Sequence, residues 1–167
     1  FIAVHVLGVV AIWYLLTVHF KEETVILAVL LFVMCHISIT AGVHRLYAHR
    51  SYVAVKPLEF ILLLLSAATF QYSTLVWVYL HRMHHWHSDT DKDPYSVRHG
   101  FWWAHFLWIL RTPTAVDDHK LRDLQQNKLV TWQDRYYYPL ALLIGLALPT
   151  TIASIWGDAL GGLLVGG

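Results

Sequence analysis

Long apolar runs, divided by short polar breaks, set the frame of the chain. Phe1 to His19 is apolar apart from His5 and His19, and Lys21-Glu22-Glu23 closes it. Thr24 to Val43 follows without a single Asp, Glu, Lys or Arg. Both runs reach the ~20 residues that a bilayer-spanning helix needs. The polar turn between them is short, which predicts an antiparallel hairpin. Tyr136 to Trp156 reads as another span, opened by three interfacial tyrosines and kinked at Pro149. Asp158 closes it, and a further span starts at residue 159. Leu58 to Leu80 is apolar too, but Gln71-Tyr72-Ser73-Thr74 interrupts it. Leu58 to Phe70 is too short to span and suits an interfacial or re-entrant helix, with a separate helix from Leu75. Trp86 to Arg135 is hydrophilic, with a polar helix predicted from Val116 to Asp134. The aromatic patch from Phe101 to Trp108 reads as an interfacial belt or as the wall of an apolar channel.

Composition strengthens the membrane reading. Of 167 residues, 57% are hydrophobic and 14% charged, and mean hydropathy is positive. An ordinary soluble domain is less apolar. A net charge of +1 gives no reason to expect a nucleic-acid partner. Cys35 is the only cysteine, so no internal disulfide can form, and its setting is that of a small buried hydrophobe. Phe1 and the closing Gly161-Gly162-Leu163-Leu164 segment both break off in apolar sequence, so the chain is expected to be a fragment. Arg45, Arg50 and Lys56 gather beyond the second run, which places that end in the cytoplasm.

The chemistry lies in the histidines, of which there are twelve. His81, His84 and His85 fall at i, i+3 and i+4, within an arc of ~100° on one helical face. They can point at a common metal, while His87 lies ~120° or more away. The helix is expected to end near Asp93-Pro94. His44 and His49 form a second group, ~140° apart on a regular helix, so they share a metal only if the helix ends or distorts between them. Both groups must lie on one side of the membrane to share a centre, which argues again that Leu58 to Phe70 does not cross. All-nitrogen ligation suits iron, copper or zinc. Asp89-Thr90-Asp91-Lys92-Asp93 opens like a calcium loop, but Pro94 and Gly100 stand where that loop needs glycine and glutamate. A helix-terminating turn whose carboxylates support the histidines fits it better. His36, alone at membrane depth, reads as packing or support rather than as a ligand.

The two groups, in this order and separated by an apolar stretch, resemble the membrane-bound acyl-CoA desaturases of the stearoyl-CoA (delta-9) group. The first box appears as His44-Arg45-Leu46-Tyr47-Ala48-His49 and the second as His81-Arg82-Met83-His84-His85. Similarity continues through Asp93-Pro94, Gly100-Phe101-Trp102-Trp103-Ala104-His105, Lys128-Leu129-Val130, Arg135-Tyr136-Tyr137 and Trp156-Gly157. The resemblance implies an all-α fold, a multi-span transmembrane helical protein with a cytoplasmic histidine-box cap. On that frame the chain is one truncated membrane domain. Its spans cover about 1–19, 24–43 and 136–156, with a fourth begun at 159, and 44–56 and 81–135 are cytoplasmic. The implied activity is insertion of a cis double bond into a saturated acyl chain, usually between carbons 9 and 10, with oxygen as oxidant. The implied cofactor is a centre of two irons, a di-iron site held by His44, His49, His81, His84 and His85. A third histidine box, found in the family beyond the fourth span, is not in this sequence. Electrons would come from cytochrome b5 or a ferredoxin-type donor. Gln71 and Trp77 match positions lining the family's acyl tunnel, and Arg111 matches a basic residue near the coenzyme A group. Tyr79-Leu80 stands where animal members carry Arg-Asp, which leaves an acyl-lipid or acyl-carrier substrate open beside acyl-CoA. The implied location is the endoplasmic reticulum membrane in a eukaryote or the inner membrane in a bacterium.

Other classes share parts of this pattern. A related histidine-box hydroxylase or alkane monooxygenase would make an alcohol rather than an alkene. A non-enzymatic metal transporter would place ligands in mid-span, whereas these boxes lie at span ends. A haem-binding anchor would use single histidines on facing helices, such as His5 and His36.

Overall fold

The computed structural model describes residues 2–18, 21–110 and 121–167, and every regular element among them is helical. Helix α1 (Ile2–Thr17) and α2 (Glu22–Ile37) carry the first two apolar runs. The second helix does not stop at Ile37 but continues as a π-helix, Ser38–Ala48. The joined helix Glu22–Ala48, of 27 residues, and Tyr137–Ser154, of 18, are long and apolar enough to cross a membrane. The apolar part of α1, His5–Thr17, is shorter. Val9, Ile12 and Leu16 of α1 and Ile26, Leu30, Phe32 and Val33 of α2 all point outward, whereas Thr24 is buried. Apolar outside and polar inside is the reverse of a helix on a water-soluble core.

The expected α1–α2 hairpin takes a different form. Helix α1 packs mainly on α10 (Ala159–Leu164), at the far end of the chain. Asp158, buried at 3% exposure, supplies the reason. It accepts hydrogen bonds from Tyr14 Oη at 2.7 Å and Thr24 Oγ1 at 2.5 Å, and it caps α10 through the Gly161 amide at 3.0 Å. Trp156 Nε1 donates to Thr24 Oγ1 at 2.9 Å. A carboxylate taken out of water must collect donors, and here it draws three helix ends together to do so.

Helix α3 (Lys56–Ala68) has Pro57 in its first turn, where the missing N–H costs nothing. At 13 residues it is roughly 20 Å long, short of a bilayer core. The polar break turns the chain back with Phe70 and Tyr72 at positive φ. Helix α4 (Thr74–His87) then starts at a Ser73 cap that accepts the Val76 amide. It ends at His87, six residues before the expected stop at Asp93. The cause is local: Asp89 turns left-handed, Thr90 Oγ1 donates to the His87 carbonyl, and the chain folds back on itself. Helix α5 (Phe101–His105) presents Phe101 and Trp102 outward.

Residues 111–120, which include Arg111 and the start of the predicted polar helix, lie outside the described residues. The rest of that helix is two short ones, α6 (Arg122–Gln125) and α7 (Lys128–Arg135). They are split at Asn127, whose side chain caps α7 through the Leu129 amide. Helix α8 (Tyr137–Leu142) and α9 (Leu148–Ser154) flank a π-helical turn, Leu143–Ala147. Pro149 stands in the first turn of α9, just after this π-helical turn. The π-helix, α3, α4, α6 and α7 enclose a core of Val43, Tyr47, Leu63, Val78, Leu121 and Val130 with their neighbours. Burial of each large apolar side chain contributes about 1.5–3 kcal/mol. This packed core supports the histidine-bearing helix ends, and the Asp158 cluster closes the opposite end. Twenty residue steps of continuous helix, from Thr24 to His44, separate the two, roughly 30 Å.

Candidate metal centre

The π-helix resolves the angular conflict between His44 and His49. Its i→i+5 pattern, shown by the His49 amide donating to the His44 carbonyl at 2.9 Å, stacks residues five apart nearly one above the other. The two Nε2 atoms come to 3.1 Å. Helix α4 brings His81 and His85 to the same place, with His49 Nε2 to His81 Nε2 and His81 Nε2 to His85 Nε2 both at 3.1 Å. Donor atoms of His44, His49 and His81 all lie within 4.8 Å of one another.

Hydrogen bonding alone cannot satisfy this arrangement. A ring Nε2 carries either one proton or one lone pair, never both. In the row His44, His49, His81, His85, at most two of the three contacts can therefore be hydrogen bonds. A cation facing the lone pairs satisfies all four. Two imidazole nitrogens about 2.1 Å from one metal and at right angles lie about 3.0 Å apart, close to the observed spacing. Protonation is also disfavoured: burial, reinforced by the neighbouring imidazoles, pushes His81 down to about 3. Burial and the same neighbours lower His85 as well. Neutral imidazole is the ligating form, so the donor set fits a transition metal.

His84 stands apart from this row. Its Nδ1 is 2.9 and 3.0 Å from the two oxygens of Asp93, and its ring stacks on Tyr95 at 4.5 Å. Asp93 also accepts the Asp89 amide at 3.0 Å and the Tyr95 amide at 3.1 Å. Burial would raise the Asp93 carboxyl, but these bonds prevail and hold it below its usual range. A carboxylate on Nδ1 fixes the ring and leaves Nε2 as the free donor, the usual support for a metal-bound histidine. His87 joins neither group.

Against the histidines lies an apolar cavity of about 790 Å³ lined by Gln71, Tyr72, Trp77, Leu80, His81, Tyr95 and Trp108, with His5 also on its wall. Trp77 stacks on His81 at 4.9 Å. A second space of about 580 Å³, bounded by Phe32, Cys35 and His36, shares Thr69 and Gln71 with the first. His36 is exposed and stacks on Phe32, away from the histidine row. Tyr79 and Leu80 are buried in the core rather than displayed at a surface. A further recess beside the row, of about 480 Å³, is lined by His49, Arg50, His81, Arg82, His85 and Trp86.

Residues 24–166 match the family model described as fatty acid desaturase. The chain belongs to that family. It is 38% identical to a probable acyl-CoA desaturase of Schizosaccharomyces pombe, over 96% of this chain and 34% of the relative. It is 39% identical to an acyl-CoA Delta(11) desaturase of Choristoneura rosaceana, over 93% of the chain and 48% of the relative. An acyl-CoA Delta-9 desaturase of Acheta domesticus is 38% identical, over 83% and 40%. The chain thus spans less than half the length of these relatives. Membership implies iron use, which agrees with the donor set of this desaturase-family chain.

Two functional features were not legible as such. The sequence marks Asp93 as part of a supportive turn, but its pairing with His84 depends on the left-handed Asp89. Arg82 and Asp123 belong to no ligand spacing. Both carry charge inside or beside an apolar core, and an arginine between two candidate ligands is the signal that marks the first.

Proposed function

We propose that the chain is the membrane-embedded part of a multi-pass, oxygen-dependent acyl-CoA desaturase. It introduces a cis double bond into a saturated acyl chain at a histidine-held di-iron centre. The observation that carries this reading is the convergence of four imidazole nitrogens beside an aromatic-walled cavity, large enough for an acyl chain, that one of them, His81, helps to line. His44, His49, His81, His85 and the Asp93-oriented His84 would hold the metal, with further ligands from the rest of the protein. Iron bound there would supply the oxidising power that breaks unactivated C–H bonds with oxygen. The protein's own part is placement. Trp77, stacked on His81, sets the wall of the cavity beside the ligands, and Gln71 and Tyr72 line the same wall. Aromatic and aliphatic surface keeps water from the acyl chain. Relatives named for acyl-CoA support the thioester as substrate, with Arg111 a candidate for its polar head. Those names divide between Delta-9 and Delta(11), so the bond between carbons 9 and 10 is the finer form of the proposal. Cytochrome b5 or a ferredoxin-type protein would deliver electrons, at the endoplasmic reticulum or the bacterial inner membrane.

The test uses the full-length protein with saturated acyl-CoA, oxygen and a donor. Wild type should yield the cis-alkene, His81→Ala and His49→Ala should yield none, and His87→Ala should retain much of the activity. An alcohol product would make the protein a hydroxylase, and equal loss in His87→Ala and His81→Ala would overturn the ligand assignment.

A further inference from the structure

The two histidine-bearing segments meet without a covalent link, and a second set of side chains spans the gap beside them. Arg82 sits between His81 and His84 and is buried at 7% exposure. Its Nη2 donates to the Tyr47 carbonyl at 2.8 Å, and its Nε lies 3.4 Å from the Ala48 carbonyl, at the last turn of the π-helix. The same guanidinium grips Asp123 as a fork, with Nη1 to Oδ1 at 3.0 Å and Nη2 to Oδ2 at 2.8 Å. Asp123 is then met from the other side by Arg50, the residue after His49, at 3.0 Å from Nε and 2.8 Å from Nη2. One carboxylate on α6 therefore ties the residue that follows His49 to the residue that follows His81. Bidentate arginine–carboxylate contacts fix orientation as well as distance.

We propose that Arg82, Asp123 and Arg50 form a clamp that sets the two histidine segments in register before metal arrives, with Asp123 as its positioning residue. The proposal rests on the metal centre read above. The free carbonyls at the end of the π-helix would otherwise face water, and the terminal turn carrying His49 would fray. By engaging both the carbonyls and the next residue, the clamp presents His49 against His81 as a preformed half-site. Asp123 touches no metal ligand itself. It acts through Arg82 and Arg50.

The decisive measurement pairs two readouts on full-length protein in detergent, stripped of metal. Cobalt(II) is titrated and followed by its visible absorption, and amide hydrogen exchange is recorded in the metal-free state. Asp123→Asn should weaken cobalt binding by about 10–100-fold, the effect usual for groups that orient ligands. Exchange should quicken by about tenfold or more at the His49 and Ser51 amides, which bond the His44 and Arg45 carbonyls. The Val25 and Gly162 amides, at the Asp158 end, should keep wild-type protection and so report an intact fold. Arg50→Gln, at an exposed side chain, should show both effects in smaller degree and serves if Asp123→Asn loses the fold. Wild-type cobalt affinity in both variants, or faster exchange without weaker binding, would overturn the clamp as a positioning device. A wild type that takes up no cobalt would instead overturn the metal reading on which the clamp's role depends, and the exchange data would show which had failed.

Discussion

Asp123 carries a charge whose state decides how firmly three residues hold together. Burial works to raise its carboxyl, but the Arg82 hydrogen bonds, with the charges of Arg82 and Arg50, hold it below its ordinary value of 3.8. A depressed carboxylate contributes stability that is fully present above the unfolded value and is lost as pH falls through the folded one. The melting temperature of Asp123→Asn should therefore lie below wild type at pH 7, and the gap should close as pH drops below about 3.8. A gap that persisted in acid would mean that shape, not charge, holds the site. Spacing alone showed that His81 and His85 share a face, since i, i+4 geometry is nearly invariant. It placed His84 with them equally well. Which ring turns toward a carboxylate depends on a left-handed residue five positions later, and no helical wheel contains that.

Between residue and fold, the π-helix Ser38–Ala48 does most to build the site. Sequence spacing exposed the difficulty, since His44 and His49 diverge on an α-helix, and a distortion had to exist. Its form depends on how this segment packs against α3, which a single-chain pattern does not display. Gly42 marks the contact: a Cβ there would stand 3.1 Å from Leu62 Cβ. Gly42→Ala should be close to neutral, because the crowding offsets the gain of about 1 kcal/mol from replacing a helical glycine. Gly42→Leu should cost about 1–3 kcal/mol by forcing α3 away, as measured by thermal unfolding. It should also separate His44 from His81 and lower the cobalt affinity. A stable Gly42→Leu with wild-type metal binding would show that α3 does not set the π-helical register. The early end of α4 and the break at Asn127 belong to the same class: local turns and side-chain caps interrupt helices that the coarse sequence pattern extends.

Taken whole, the molecule has an apolar outer surface on α1 and α2, a packed core beneath the histidines, and a buried polar knot at the other end. Two of the apolar runs were legible as helices long and apolar enough to cross a membrane, because that asks only for length and hydropathy. The partnership of α1 with α10 was not, since it depends on one aspartate, 144 residues distant from Tyr14. The proposed multi-pass reading predicts a topology. At 13 residues, roughly 20 Å, α3 cannot cross a hydrocarbon core of about 30 Å. On that reading Lys56 at its start and Lys92 beyond α4 should face the same side, with the histidines between them. Ala159, beside Asp158, should face the other, because the helix from Thr24 to His44 is long enough to separate the two ends by about a bilayer core. Single cysteines at these three positions, in a full-length protein otherwise free of cysteine, can be labelled in sealed vesicles with a membrane-impermeant maleimide. Lys56→Cys and Lys92→Cys should react from one face and Ala159→Cys from the opposite face. If the first two reacted from opposite faces, α3 would cross the membrane, the histidine row would be split across it, and a single metal centre would be impossible.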